Sequence, residues 1–152
     1  MKVAIANDHA GVELKKALKE HLEQKGIEVQ NFGTDSEESM DYPDVVKEAA
    51  LAVQKKKADF GIVICGTGIG VSITANKFKG IRAALCYNVF SAKMARNHND
   101  ANIIAFGART MMEEDVLVMV DTFLSEDFSG ERHARRVDKV SSIEQDNFRK
   151  AE

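Results

Sequence analysis

The 152-residue chain has no tryptophan, one proline and two cysteines. One proline excludes a proline-rich linker or recognition segment, and the missing tryptophan removes the commonest interface anchor. Two cysteines cannot build a disulfide framework. Charge of one sign is also missing: 21 Lys and Arg stand against 24 Asp and Glu, for a net charge of −3. That balance argues against bulk affinity for nucleic acid or acidic membrane and leaves room only for a local basic patch. The histidines and cysteines are scattered, with no CxxC and no HExxH, so no metal centre is expected. No GxSxG elbow supports a serine hydrolase. The most apolar stretch, Phe60 to Ile73, is broken by Gly61, Gly66, Gly68 and Gly70 and is too short to cross a bilayer. Met1 to Ile5 lacks the pattern of a signal peptide. The expectation is a reduced, cytoplasmic protein that forms a single domain over residues 1–152.

What is present is a globular balance, 44% hydrophobic and 30% charged. Strand-like and helix-like segments alternate. Strands are expected at Lys2–Ala6, Ile27–Phe32, Phe60–Cys65, Ile81–Tyr87 and Asn102–Phe106. Leu14, Leu18 and Leu22 recur every four residues, which predicts an amphipathic helix closed by Lys25 and Gly26. Pro43 suits the first turn of a second helix, with Val45, Val46, Ala49, Ala50 and Val53 on its apolar face. Further helices are expected from the glycine turn to about Lys77, over Val89–Asn97, over Glu113–Leu124 and from about Glu131 onward. The alternation predicts a three-layer α/β/α sandwich, a Rossmann-like five-stranded parallel sheet. Ligands of such sheets bind beyond the carboxyl ends of the strands. That rule nominates Asn7–Gly11, Gly33–Tyr42, Cys65–Gly70, Tyr87–Asn88 and Gly107–Thr110.

Cys65-Gly66-Thr67-Gly68-Ile69-Gly70 is the sharpest chemical feature. A buried strand feeds a glycine turn, and the turn feeds a helix, so backbone N–H groups can surround a ligand oxygen. The alternative is a tight strand–helix connection without a ligand. A thiol at the mouth of such a turn can act as base or nucleophile, because donors and the helix terminus stabilise its thiolate. Equally, it is a small core residue at a strand end, and Cys86, inside a strand, reads as a core thiol. Asp8 and His9 offer a carboxylate and an imidazole, although aspartate there also serves as an N-cap. His98 and Asn99 close a helix, where histidine commonly compensates the dipole. His21 reads as a surface residue. Arg132-His133-Ala134-Arg135-Arg136 is the one concentrated basic cluster. Arg132 and Arg136 are one helical turn apart and can close on one anion, or they form a solvated face balanced by Glu131 and Asp138. Arg109 follows the fifth strand, at the edge where ligands bind.

These motifs stand in order with Asp41-Tyr42-Pro43-Asp44, Ala75-Asn76-Lys77, Arg96-Asn97-His98-Asn99 and Ala101-Asn102. Together they resemble the B-type ribose-5-phosphate isomerases, in the wider family that includes galactose-6-phosphate isomerase subunits. The resemblance covers nearly the whole chain. It implies interconversion of ribose 5-phosphate and ribulose 5-phosphate, a step of the pentose phosphate pathway, without metal or organic cofactor. It further implies that Cys65 is the base that moves a proton between C2 and C1 through a cis-enediolate. Thr67 and His98 would assist ring opening, and Asp8 would handle sugar oxygens. The backbone of Gly66, Thr67, Gly68, Ile69 and Gly70 would hold the enediolate, Asn99 would contact the sugar, and Tyr42 would line the pocket. His9, Arg109, Arg132, His133 and Arg136 would hold phosphate. The resemblance also implies a homodimer or a dimer of dimers, with the site between subunits and the C-terminal helix docked on the partner. One branch of the family carries a glutamate after the glycine turn in place of the cysteine. Val71 stands there in this chain, which aligns it with the cysteine branch. Asn7 departs from the serine often found before the Asp-His pair. Two other readings fit the same residues: an isomerase of a six-carbon sugar phosphate such as allose 6-phosphate or galactose 6-phosphate, and a non-catalytic phosphate-binding module on the same fold.

Overall fold

A computed structural model describes residues 1–149, so residues 150–152 of the expected single domain lie outside it. Five parallel strands form one sheet in the order β2-β1-β3-β5-β4. They are β1 (Lys2–Asn7), β2 (Glu28–Asn31), β3 (Phe60–Cys65), β4 (Ala83–Leu85) and β5 (Ile103–Gly107). The helices are α1 (Val12–Gln24), α2 (Tyr42–Gln54), α3 (Ile69–Ala75), α4 (Val89–Asn97), α5 (Glu113–Ser125) and α6 (Glu131–Arg149). The expected α/β architecture with helices on both faces is what folds.

The central strands read as unbroken apolar runs because helices cover both of their faces. Alternation sends Ile62 and Ile64 to one side, with Ile5, Leu18, Ile104, Phe106 and Phe123. It sends Val63 and Cys65 to the other, where Ala4, Ala6, Val46, Val71 and Ala105 pack. Thus α1, α4 and α5 cover the first face, and α2 and α3 cover the second. The chain leaves β1, crosses to β2, and then returns to place β3 on the other side of β1. Between β1 and β3 the strand order reverses, and the crevice there is where such sheets take ligands.

Local chemistry sets the helix ends. Gly26 (φ 75°) ends α1 in the left-handed conformation, and the Ile27 amide donates to the Leu22 carbonyl at 3.0 Å. Asn88 accepts from the Ser91 amide at 2.7 Å, and the Ser91 hydroxyl closes the capping box at the start of α4. Three expectations need correction. The helix after the glycine turn stops at Ala75 rather than near Lys77, because the Asn76 side chain bonds the Ser72 carbonyl and both backbone groups of Ala83 at 2.8–2.9 Å. The fourth strand keeps only Ala83–Leu85 of Ile81–Tyr87, since it is an edge strand paired with β5 alone. Cys86 therefore lies just past a strand, yet it is buried. His21 is not a free surface residue: its Nε2 bonds Asp121 Oδ1 at 2.9 Å, which ties α1 to α5.

Leu18 is wholly buried on the α1 face. Leu18→Ala is expected to lower unfolding free energy by about 2–5 kcal/mol, the range for emptying a well-packed leucine site. Urea unfolding measures this, and a change under about 0.5 kcal/mol would mean α1 does not pack as described.

Candidate active site

The carboxyl ends of β1 and β3 are joined side by side. The Asp8 amide donates to the Ile64 carbonyl at 3.2 Å, so the residue after β1 is fixed against β3. Asp8 Oδ1 accepts from the Ala10 amide at 2.9 Å and caps a 3-10 turn over His9–Gly11. The capping reading of Asp8 is therefore correct for this turn. His9 Nδ1 accepts from the Met40 amide at 3.3 Å, which leaves Nε2 to carry the proton of the neutral ring.

Cys65 ends β3 and is 6% exposed. Its sulfur faces the glycine turn and accepts the Gly68 amide at 3.2 Å. Gly68 has φ +78°, and a Cβ there would stand 2.5 Å from Leu85 Cδ1 and 2.8 Å from the Phe106 carbonyl carbon. Only glycine satisfies both the backbone twist and the close approach. Gly70 lies beneath Tyr42, whose ring would be 2.5 Å from an added Cβ. Gly66 lies beside Arg109: its carbonyl accepts the Arg109 amide at 3.0 Å, and the arginine side chain runs over its Cα. Thr67 and Ile69 are exposed at the rim. Asp8, His9, Tyr42, the turn from Cys65 to Gly70 and Arg109 thus gather where β1, β3 and β5 end.

The remaining nominated residues gather elsewhere. His98, Asn99, His133 and Arg136 line a cavity of about 1080 Å³ between α6 and the β4–α4 side of the sheet, and none of the first group lines it. The rings of His98 and His133 stack, with centroids 3.9 Å apart and planes 9° off parallel. Arg132 Nε donates to His133 Nε2 at 3.4 Å. Desolvation, then the charges of His98, Arg132 and Arg136, hold His133 below the usual histidine range, against the weaker pull of Glu131. Cys86 is in the wall of this cavity, and burial pushes its thiol up to about 11 despite a hydrogen bond with Ser91. It stays neutral at physiological pH and serves as packing.

Sequence reasoning passed over the residues that hold the first group in place. Asn7, which stands where the family often has serine, is fully buried, and its Nδ2 donates to the carbonyls of Asp8 (2.9 Å) and Thr34 (3.0 Å). Lys15 is also buried and donates to the same Thr34 carbonyl at 2.7 Å and to the Asp35 carboxylate. The Lys15 ammonium holds Asp35 below the ordinary carboxylate range. Two donors on one carbonyl anchor the loop that leads to Tyr42. Lys15 lies three and seven residues before Leu18 and Leu22, on the apolar face of α1, a spacing that separates it from the exposed Lys16. Among the described residues, no group of three or more His, Cys, Asp or Glu is placed to hold a metal, and no helix is long and apolar enough to cross a membrane.

The sequence profile described as Ribose/Galactose Isomerase matches residues 3–140. The chain belongs to that family. It is 46% identical to ribose-5-phosphate isomerase B of Escherichia coli over 95% of this chain and 97% of that one. It is 45% identical to a putative sugar phosphate isomerase of Bacillus subtilis over 97% of this chain and 100% of that one. A solved ribose-5-phosphate isomerase B of Clostridium thermocellum superposes with a TM-score of 0.95 at 50% identity, over 97% of this chain and 99% of that one. The Mycoplasma genitalium enzyme, solved with bound ribulose-5-phosphate, superposes with a TM-score of 0.91 at 40% identity, over 95% of this chain and 96% of that one.

The depressed His133 predicts a pH effect on this family member's stability. Below the ordinary histidine pKa of 6.5 the unfolded ring takes up a proton more readily than the folded one. Stability from this group is complete above that pH and is lost as pH falls through the lower folded value. Thermal unfolding between pH 8 and about pH 5 is expected to show this decline, and His133→Asn is expected to flatten it. An identical slope in the variant would refute the assignment to His133.

Proposed function

We propose that the protein is a cytoplasmic ribose-5-phosphate isomerase that interconverts ribose 5-phosphate and ribulose 5-phosphate in the pentose phosphate pathway. The observation that carries this reading is the adjacency of the Cys65 sulfur to the glycine turn, in a chain of the ribose/galactose isomerase family. Moving a carbonyl between C1 and C2 requires a base for a weakly acidic proton and donors for the oxyanion that forms. One segment supplies both. Cys65 removes the C2 proton of the opened aldose, and its electron pair forms the C1–C2 double bond of a cis-enediolate. Amides of the turn from Gly66 to Gly70 hold the enediolate oxygens. A proton passes from O2 to O1, and the proton held by Cys65 is delivered to C1 as the double bond shifts to C2–O2, giving the ketose without net oxidation. Asp8, capped into place beside the turn, handles the sugar hydroxyls. Thr67 and His98 assist ring opening, and Asn99 contacts the sugar. Tyr42, across Gly70, closes one wall.

Phosphate is held by His9, Arg109, Arg132, His133 and Arg136. Guanidinium forks suit this anion, and binding it away from the reacting carbons positions them for proton transfer. The active form is a homodimer in which the β1–β3–β5 cluster of one copy faces the His98–His133–Arg136 cluster of the other. Two observations support this assembly. The two groups do not share a cavity within one chain, and α6 exposes Val140 and Ile143 at 55% and 63%.

Purified protein with chelator present is expected to interconvert the two pentose phosphates in a coupled spectrophotometric assay. Cys65→Ala is expected to lower kcat by about 100- to 10,000-fold with the fold intact, the usual loss of a general base. Full activity in that variant would remove the base. Arg136→Ala is expected mainly to raise KM, by about 10- to 100-fold for one charge-assisted phosphate contact. Turnover of six-carbon phosphates in preference to pentose phosphates would favour a hexose-phosphate isomerase. Mixing inactive Cys65→Ala and His98→Ala proteins is expected to restore about a quarter of wild-type activity through hybrid dimers of two-fold symmetry. A mixture that stays inactive would place both groups in one subunit's site.

A further inference from the structure

The short turn that carries His98 and Asn99 ends in a left-handed residue. Asp100, directly after it, has φ +47°, a conformation few residues other than glycine, asparagine and aspartate adopt. Two arginines hold it there. Arg82, from the segment before β4, donates through Nε to the carbonyls of Asn99 (3.0 Å) and Asp100 (2.9 Å), and through Nη2 to Asp100 Oδ2 (2.7 Å). Arg96, in the last turn of α4, donates through Nη1 to Asp100 Oδ1 (2.8 Å) and to the Ala101 carbonyl (2.8 Å). Three successive carbonyls and both carboxylate oxygens are thereby taken by two guanidinium groups.

Arg96 is not a surface charge. Its side chain is 10% exposed, its Nε finds no acceptor, and its guanidinium carbon lies 4.9 Å from the Phe60 ring centre and 5.9 Å from that of Phe123. A cation held against two rings in the core, with one donor left bare, is an expensive way to close a helix. Closing α4 does not need it, because the His98 amide already reaches the Met94 carbonyl at 2.9 Å. What the two arginines add is a defined path for the residues between them.

We propose that Arg82, Arg96 and Asp100 are positioning residues that hold His98 and Asn99 at the angle the isomerase site requires. The inference rests on the function proposed above. The Asp100 carboxylate clamps the turn between a core-anchored arginine and the edge of the sheet. His98 is then presented for its stack on His133, and Asn99 is turned outward into the cavity. Loss of the clamp lets the turn relax without opening the core, so its effect falls on catalytic geometry.

Arg82→Gln and Asp100→Asn are the test, with Arg82→Lys as the conservative replacement. Both are partly exposed positions, and circular dichroism with thermal melting establishes that each variant is folded. Wild-type turnover of ribose 5-phosphate checks the underlying reading by itself. In Arg82→Gln and Asp100→Asn, kcat is expected to fall about 10- to 100-fold, the scale of a small misplacement of reacting groups, with a much smaller change in KM. Arg82→Lys restores part of the loss. Independently of turnover, the His98 imidazole resonances are expected to shift in both variants, with residues of the β1–β3 cluster unchanged. Unaltered His98 resonances would overturn the positioning role whatever the activity. A lower melting temperature with kcat intact would also overturn it, by reducing the cluster to a structural brace.

Discussion

β3 is held between β1 and β5, and everything at the candidate site hangs on how that strand ends. Its carboxyl end has neighbours on both sides, so the chain must leave it steeply and without a side chain at the tightest point. Gly68 meets that demand, with its left-handed backbone pressed against Phe106 and Leu85. The same steep exit turns the Gly68 amide back onto the Cys65 sulfur. It also brings Gly66 under Arg109 and Gly70 under Tyr42. A side chain at Gly68 or Gly70 would push apart the groups that have to converge.

Around that turn the protein relies on donors aimed at carbonyls rather than on surface ion pairs, which contribute little. Thr34 is held by Asn7 and Lys15 together. Asn99, Asp100 and Ala101 are held by Arg82 and Arg96. Both devices fix loops at sheet edges, where backbone groups lack ladder partners. Both place the fixed point a few residues from a side chain assigned to substrate. In both devices a cation, Lys15 in one and Arg96 with Arg82 in the other, holds loop carbonyls in place.

The two clusters also differ in electrostatic character. The β1–β3–β5 end presents neutral backbone donors around one capped carboxylate, with Arg109 as its cation. The His98–His133–Arg136 side carries the guanidinium groups of Arg132 and Arg136, and desolvation first, then neighbouring charge, keeps His133 reluctant to take a proton. Under the proposed function, a phosphate dianion would compensate that crowding. In the homodimer proposed above, the two surfaces complete one site between them.

Much of this was legible in the chain. Alternating apolar segments determined the α/β class, because a strand buried on both faces must be apolar throughout and a covering helix must repeat every three to four residues. Leu14, Leu18 and Leu22 and the glycine turn after Cys65 were local signals with local causes. The motifs that carried the family resemblance also lay along single short segments. The strand order was not legible, since pairing β3 with both β1 and β5 depends on how helices pack across the whole sheet. Nor was the early end of α3, which Asn76 decides by reaching the separate strand β4. The spacing of Lys15 puts it on the apolar face of α1, yet its acceptor, the Thr34 carbonyl, comes from a separate segment. Arg96 and Asp100 showed their i,i+4 spacing in the sequence, but the turn between them did not, because its path depends on Arg82 from another segment. Sequence determines what a segment of chain does with its own neighbours. Tertiary structure alone decides which distant donors meet which carbonyls, because that depends on the closing of the fold around them.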